Sequence, residues 1–129
     1  MKLLIDTQCW LWMNASPEKL SRRTHGLLMD PGTERLLSAV SIWEIGIKYH
    51  LGKLPLPVAP ADYVPARMAL TRTAELAIIG SHALRASSLP ALHRDPFDRM
   101  IVAQALVEGV PVLSSDSRLD AYGIRRLAP

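Results

Sequence analysis

Short, predominantly apolar runs recur along this chain with helix-forming segments between them, and that alternation restricts the fold more than any other feature of the sequence. KLLID (2–6), RLLSAVS (35–41), LAIIG (76–80) and VPVLSSD (110–116) read as strands, and GIRRL (123–127) as a short last one. The runs are continuously apolar rather than alternating, so these strands are expected to be buried on both faces. That is the condition of a mostly parallel sheet with helices packed on both sides.

The intervening segments carry helix punctuation. In WLWMNASPEKLSRRTHGLLMD, Ser16-Pro17-Glu18 reads as a start and Asp30-Pro31-Gly32 as a stop. Ser41 reads as the cap of IWEIGIKYHLG, whose Ile42, Ile45 and Tyr49 share a face and whose Gly52 ends it. The proline-rich KLPLPVAPADYVP is a connector, followed by a helix over about 60–73 and another in SHALRASSL. RDPFDRMIVAQALVEG predicts a further helix, with Asp95 as N-cap, Pro96 at the first helical position and Gly109 closing it. Asp98 then falls in the first turn, where the helix dipole favours negative charge.

With 129 residues, 49% of them hydrophobic, the chain is the size of one domain and long enough to bury a core, so residues 1–129 are expected to fold as a single unit. The single Cys9 has no partner for a disulfide, and no Cys/His cluster suggests structural zinc; Cys9 reads as a small buried hydrophobe. No apolar run approaches the roughly 20 residues of a membrane span, which predicts a soluble, cytoplasmic protein. The net charge of +3 leans towards an anionic partner, although the arginines are spread along the chain and form no tail.

Asp6 and Asp116 each follow an apolar strand directly, and in an open α/β sheet the carboxyl ends of the strands form the edge where ligands bind. Asp98 begins the helix leading into the fourth strand, and Glu44 stands in an apolar helical run, IWEIGI. Singly, each acid also fits a turn, cap or solvated helix position. Together they imply more, because two carboxylates about 4 Å apart repel by about 4 kcal/mol at an effective dielectric near 20. A cluster of them must take up protons or hold a cation, and oxygen-only ligation suits Mg²⁺ or Mn²⁺. Such a site supports metal-assisted hydrolysis at phosphorus, with Asp98 or Glu44 orienting water and Arg99 or Arg94 holding a substrate phosphate.

LLIDT, SIWEIGIKYHLGKL, HRDPFDRMIVAQAL and VLSSD resemble, in that order and spacing, the PIN-domain ribonucleases, most closely the toxins of VapBC toxin-antitoxin pairs. The resemblance covers nearly the whole chain. It implies a parallel five-stranded sheet of order 3-2-1-4-5 with helices on both faces, and an acidic site on Asp6, Glu44, Asp98 and Asp116, with Thr7 and Ser115 as hydroxyl neighbours. It implies further a Mg²⁺- or Mn²⁺-dependent endoribonuclease, an RNA substrate, a homodimer and a cognate antitoxin. The sequence departs from many relatives in having SSD where a threonine or asparagine adjoins the acid.

Two other readings compete. One is a catalytically inert module that keeps the fold and binds RNA or a partner protein. The other is a phosphatase or phosphoacceptor, which the absence of Asp-x-Asp after the first strand and of a GxxxxGK loop makes weaker. His25, His50, His82 and His93 are scattered and read as surface or hydrogen-bonded residues, His93 lying nearest the acids. Trp10, Trp12 and Trp43 read as packing residues rather than base-stacking platforms.

Overall fold

The structure, a computed structural model, describes residues 1–129. Strand β1 (Lys2–Ile5) runs down the middle of a five-stranded sheet whose other members are β2 (Glu34–Ser38), β3 (Thr73–Leu76), β4 (Val112–Leu113) and β5 (Arg126–Leu127). All pairings are parallel and the order is 3-2-1-4-5, as the resemblance implied. Parallel neighbours require crossovers; six helices, α1 (Thr7–Ala15), α2 (Arg22–Met29), α3 (Ala39–His50), α4 (Pro60–Leu70), α5 (Gly80–Ser88) and α6 (Pro96–Glu108), supply those up to β4, and a 3₁₀ segment, Ser117–Tyr122, links β4 to β5.

The pleat sorts the core into two layers. Leu3, Ile5, Leu37 and Leu113 point to one face, against Cys9 and Trp10 of α1, Leu28 of α2, Ile45 of α3 and Val64 of α4. Leu4, Leu36 and Val112 point to the other, against Val40 of α3 and Ile101 and Ala105 of α6. Each fully buried side chain of this kind contributes about 1.5–3 kcal/mol. No helix is long and apolar enough to cross a membrane.

Several boundaries differ from the sequence reading, each for a local reason. The first helix begins at Thr7 because Asp6 caps it, its carboxylate accepting the Cys9 N–H at 2.7 Å. Ser16 closes that helix, Pro17–Lys19 form one 3₁₀ turn, and Ser21 caps α2. Strand β2 stops at Ser38, which caps α3 by accepting the Val40 N–H at 3.0 Å, so Ser41 lies inside the helix rather than at its start. Strand β3 is Thr73–Leu76, not LAIIG. Leu76 pairs with Ser38, the last residue of β2, so beyond it there is no strand for the chain to pair with. Helix α4 ends at Leu70, where Thr71 turns its hydroxyl back onto the Arg67 carbonyl.

Helix α6 follows the sequence reading closely. Asp95 caps it through the Phe97 and Asp98 N–H groups at 2.9 and 3.4 Å, and Gly109 closes it at φ 65°. The N–H groups of Gly109 and Val110 both reach the Ala105 carbonyl, which closes the last turn.

Candidate active site

The β1–β4 seam sets the site. Ile5 pairs with Leu113, and the Asp6 N–H donates to the Leu113 carbonyl at 3.0 Å, so the residues that follow the two strands are neighbours at the carboxyl edge of the sheet. Asp6 is buried there. Burial pushes its carboxyl up, hydrogen bonds from Ser114 and Cys9 offset part of that, and the Glu44 carboxylate adds to the rise.

Asp98 and Asp116 converge beside it from α6 and from the turn after β4. Between them lies His93, whose Nε2 is 3.0 Å from Asp116 Oδ2 and 3.2 Å from Asp98 Oδ2. One ligand atom from each of the three lies within 4.8 Å of the others. His93 Nδ1 accepts the Asp95 N–H at 3.1 Å, which leaves the neutral ring's proton on Nε2. In this arrangement the imidazole is a donor between two carboxylates, standing where a cation would stand.

The two acids differ in environment. Burial, then the neighbouring Asp95 carboxylate, pushes Asp98 up to about 6; His93 opposes the rise, and Glu44 and Asp6 add to it. Asp116 is held well below the usual carboxylate range, chiefly by Arg118, which donates to both its oxygens at 2.9 Å. A half-buried acid with raised affinity for protons beside an ionised one is a pair that a divalent cation would relieve.

Glu44 enters from α3. Thr7 Oγ1 lies 2.7 Å from Glu44 Oε1 and 2.8 Å from Ser41 Oγ, and Lys48, one turn along, pairs with Oε2 at 2.5 Å. The structure therefore brings Asp98 and Asp116 into a tight trio with His93, and sets Asp6 and Glu44 beside that trio, outside it but within its electrostatic field. The sequence reading expected the four acids at one site; the tightest group is Asp98 and Asp116 with His93, and Asp6 and Glu44 stand beside it.

Two supporting residues are also corrected. Ser115 is exposed and its N–H is directed at the Cys9 thiol; Ser114, fully buried, is the hydroxyl beside the acids, bonding Asp6 and accepting the Asp116 N–H at 3.1 Å. Arg99 holds no free guanidinium for a phosphate. It donates to the carbonyls of Ala86, Leu89, Pro90 and His93 at 2.9–3.4 Å, strapping down the segment that carries His93. Arg94 is exposed. Ser114 and Arg118 are the residues the sequence reading passed over, while His93, which it placed nearest the acids, it read as a surface or hydrogen-bonded residue. The nearest signal was the HRD tripeptide, which places His93 to accept from the cap residue of α6.

An open parallel sheet with carboxylates gathered past its central strands is the arrangement of doubly wound α/β proteins, which bind ligands at the carboxyl edge of the sheet. Residues 3–124 match the PIN domain family model, and the chain belongs to the PIN-domain family. It is 44% identical over 70 residues to Ribonuclease VapC16 of Mycobacterium tuberculosis, a match spanning 53% of this chain and about half, 50%, of that protein's length. Solved structures share the fold. VapBC2 from Rickettsia felis bound to a promoter DNA fragment superposes with a TM-score of 0.74 at 12% identity, over 99% of this chain and 98% of that one. DNA-bound VapBC from Salmonella typhimurium gives 0.70 at 19% identity, again over 99% and 98%.

Proposed function

We propose that this protein is a metal-dependent endoribonuclease, the toxin of a toxin-antitoxin pair, that hydrolyses RNA phosphodiester bonds at the acid cluster. The observation that carries the reading is the meeting of Asp98 and Asp116 beside Asp6 and Glu44. The matched Ribonuclease VapC16 supports the activity, and the VapBC complexes of the same fold support an antitoxin partner.

Asp6, Asp98 and Asp116, with Glu44 at the side, would hold Mg²⁺ or Mn²⁺, donors that suit a hard cation. When bound, the ion supplies charge neutralisation at the phosphoryl oxygens and a more acidic water. The chain's own groups do the rest. Asp98 or Glu44 is placed to orient the attacking water. Thr7 and Lys48 fix the Glu44 carboxylate, and Ser114 fixes Asp6. Arg99 keeps His93 and the α6 cap in place.

The test is sequencing of RNA ends produced by purified protein with and without Mn²⁺, with Asp6→Asn as control. The reading expects defined ends only with the ion and only from the unaltered protein; cleavage that persists in Asp6→Asn overturns it. A second reading, an inert RNA- or partner-binding module, draws on the matching of Asp116 by Arg118 and His93. RNA that is bound yet stays intact in Mn²⁺ favours that one.

A further inference from the structure

Thr7 and Glu44, which stand beside the acid cluster, also line a cavity of about 190 Å³ together with Gln8, Lys48 and Lys53, with Leu11 and Leu54 at its apolar side. Its two lysines are brought together by the end of α3. Gly52, at φ 71°, turns the chain so that the Gly52 N–H reaches the Tyr49 carbonyl and the Lys53 N–H reaches the Lys48 carbonyl, at 3.0 and 2.9 Å. This is the double bond pattern of a glycine-terminated helix, and it folds Lys53 back beside the last turn.

The charges in the cavity do not cancel. Glu44 is matched by Lys48, whereas Lys53 is exposed and has no carboxylate within ion-pair distance. One carboxylate thus faces two ammonium groups. The first turn of α1, Thr7 and Gln8, adds the positive end of a helix dipole to the same wall. On the far side of Thr7 and Glu44 stand the carboxyl groups of Asp6 and Asp98.

We infer that the Lys48–Lys53 cavity is a subsite for a backbone phosphate of the RNA strand, next along the chain from the phosphate at the acid cluster. This deepens the nuclease reading and rests on it. A polyanion that must lie across a cluster of carboxylates needs a compensating positive contact close by. Lys53 supplies it from a turn fixed by backbone hydrogen bonds, and Lys48 links the subsite to Glu44. Lys53 is a positioning residue here: it raises affinity and sets where the strand lies, and it touches no reacting atom. An ammonium serves as a point charge for phosphate and tolerates replacement by a guanidinium at an exposed position.

The test compares Lys53→Ala and Lys53→Arg with the unaltered protein. Binding of a fluorescent single-stranded RNA is followed by anisotropy across a salt series, in an Asp6→Asn background with Mn²⁺, and cleavage kinetics are measured without that background. Lys53→Ala is expected to weaken binding about five- to tenfold and to lower the slope of log affinity against log salt by about 0.7, the share of one phosphate on a single strand. KM rises by a similar factor and kcat stays within about twofold, while Lys53→Arg restores both. Unchanged affinity and slope in Lys53→Ala, with RNA bound and cut by the unaltered protein, overturn the subsite and leave the nuclease reading intact. A reduced slope in a protein that binds RNA and cuts none keeps the subsite and removes the nuclease reading. A protein that binds no RNA overturns both. Binding of polyglutamate that is lost in Lys53→Ala, with RNA binding unchanged, overturns the subsite and assigns the cavity to an acidic partner.

Discussion

Replacing Asp98 by asparagine should remove a pH dependence that the acid cluster builds into the metal-free protein. Burial, and then Asp95, move the Asp98 carboxyl from an ordinary 3.8 to about 6. Between those values the folded chain binds more protons than the unfolded chain. The stability contributed by Asp98 is therefore complete at low pH and is lost as pH rises through about 6. Two pKa units correspond to about 3 kcal/mol for a sealed carboxyl, at 1.36 kcal/mol per unit. The Asp98 side chain is 25% exposed, and solvent screening reduces the effect to about 1–2 kcal/mol. For a chain of this size that is about 4–8 °C in Tm.

Thermal melts of the metal-free protein from about pH 5 to 7.5 read the effect directly. The unaltered chain should lose that much more than Asp98→Asn over the interval, because asparagine keeps the shape of the neutral acid and never ionises. Mn²⁺ at about a hundred times its Kd should return about 2.7 kcal/mol to the unaltered chain above pH 6 and far less to the variant. Melting curves that run parallel for the two proteins across the whole interval would refute the argument that Asp98 is held protonated by its surroundings.

Two further outcomes follow from contacts already described. Arg99→Ala removes a guanidinium shared by four carbonyl oxygens, of which those of Ala86 and Pro90 keep other donors; it should lower Tm by an amount matching about 2–3 kcal/mol and open the 89–95 segment to limited proteolysis, with Arg99→Lys rescuing little because an ammonium cannot span the same fork. Cys9 is fully buried and burial pushes its thiol up, so the native protein should resist alkylation at neutral pH, with mass spectrometry finding the label only after denaturation.

Much of this was legible in the sequence because the signals were local. Asp95-Pro96 and Gly109 each specify a backbone conformation by their own chemistry, and the apolar runs reported which strands are buried on both faces. The losses came where neighbours decide. AVS after RLLS is as apolar as a strand, and only Ser38 capping α3 separates helix from strand there. In LAIIG, Ile78 and Ile79 are 39% and 54% exposed, since β2 ends before they could pair. For the site, the acids were marked by their places after strands and in α6, whereas His93 was not. Its role depends on a ring nitrogen reaching two carboxylates from different elements, and no spacing encodes that. Ser114 rather than Ser115 beside Asp6 is likewise a matter of register across the β1–β4 seam.

That seam has a kinetic consequence. The first strand to leave the ribosome acquires its β4 neighbour only after α3 to α6 have been made, so the carboxylates at positions 6 and 116 meet last. Such high contact order slows folding and ties assembly of the acid cluster to completion of the whole domain. A nascent or clipped chain ending before β4 would lack Asp116 and the strand beside Asp6, and so could not assemble the acid cluster at all.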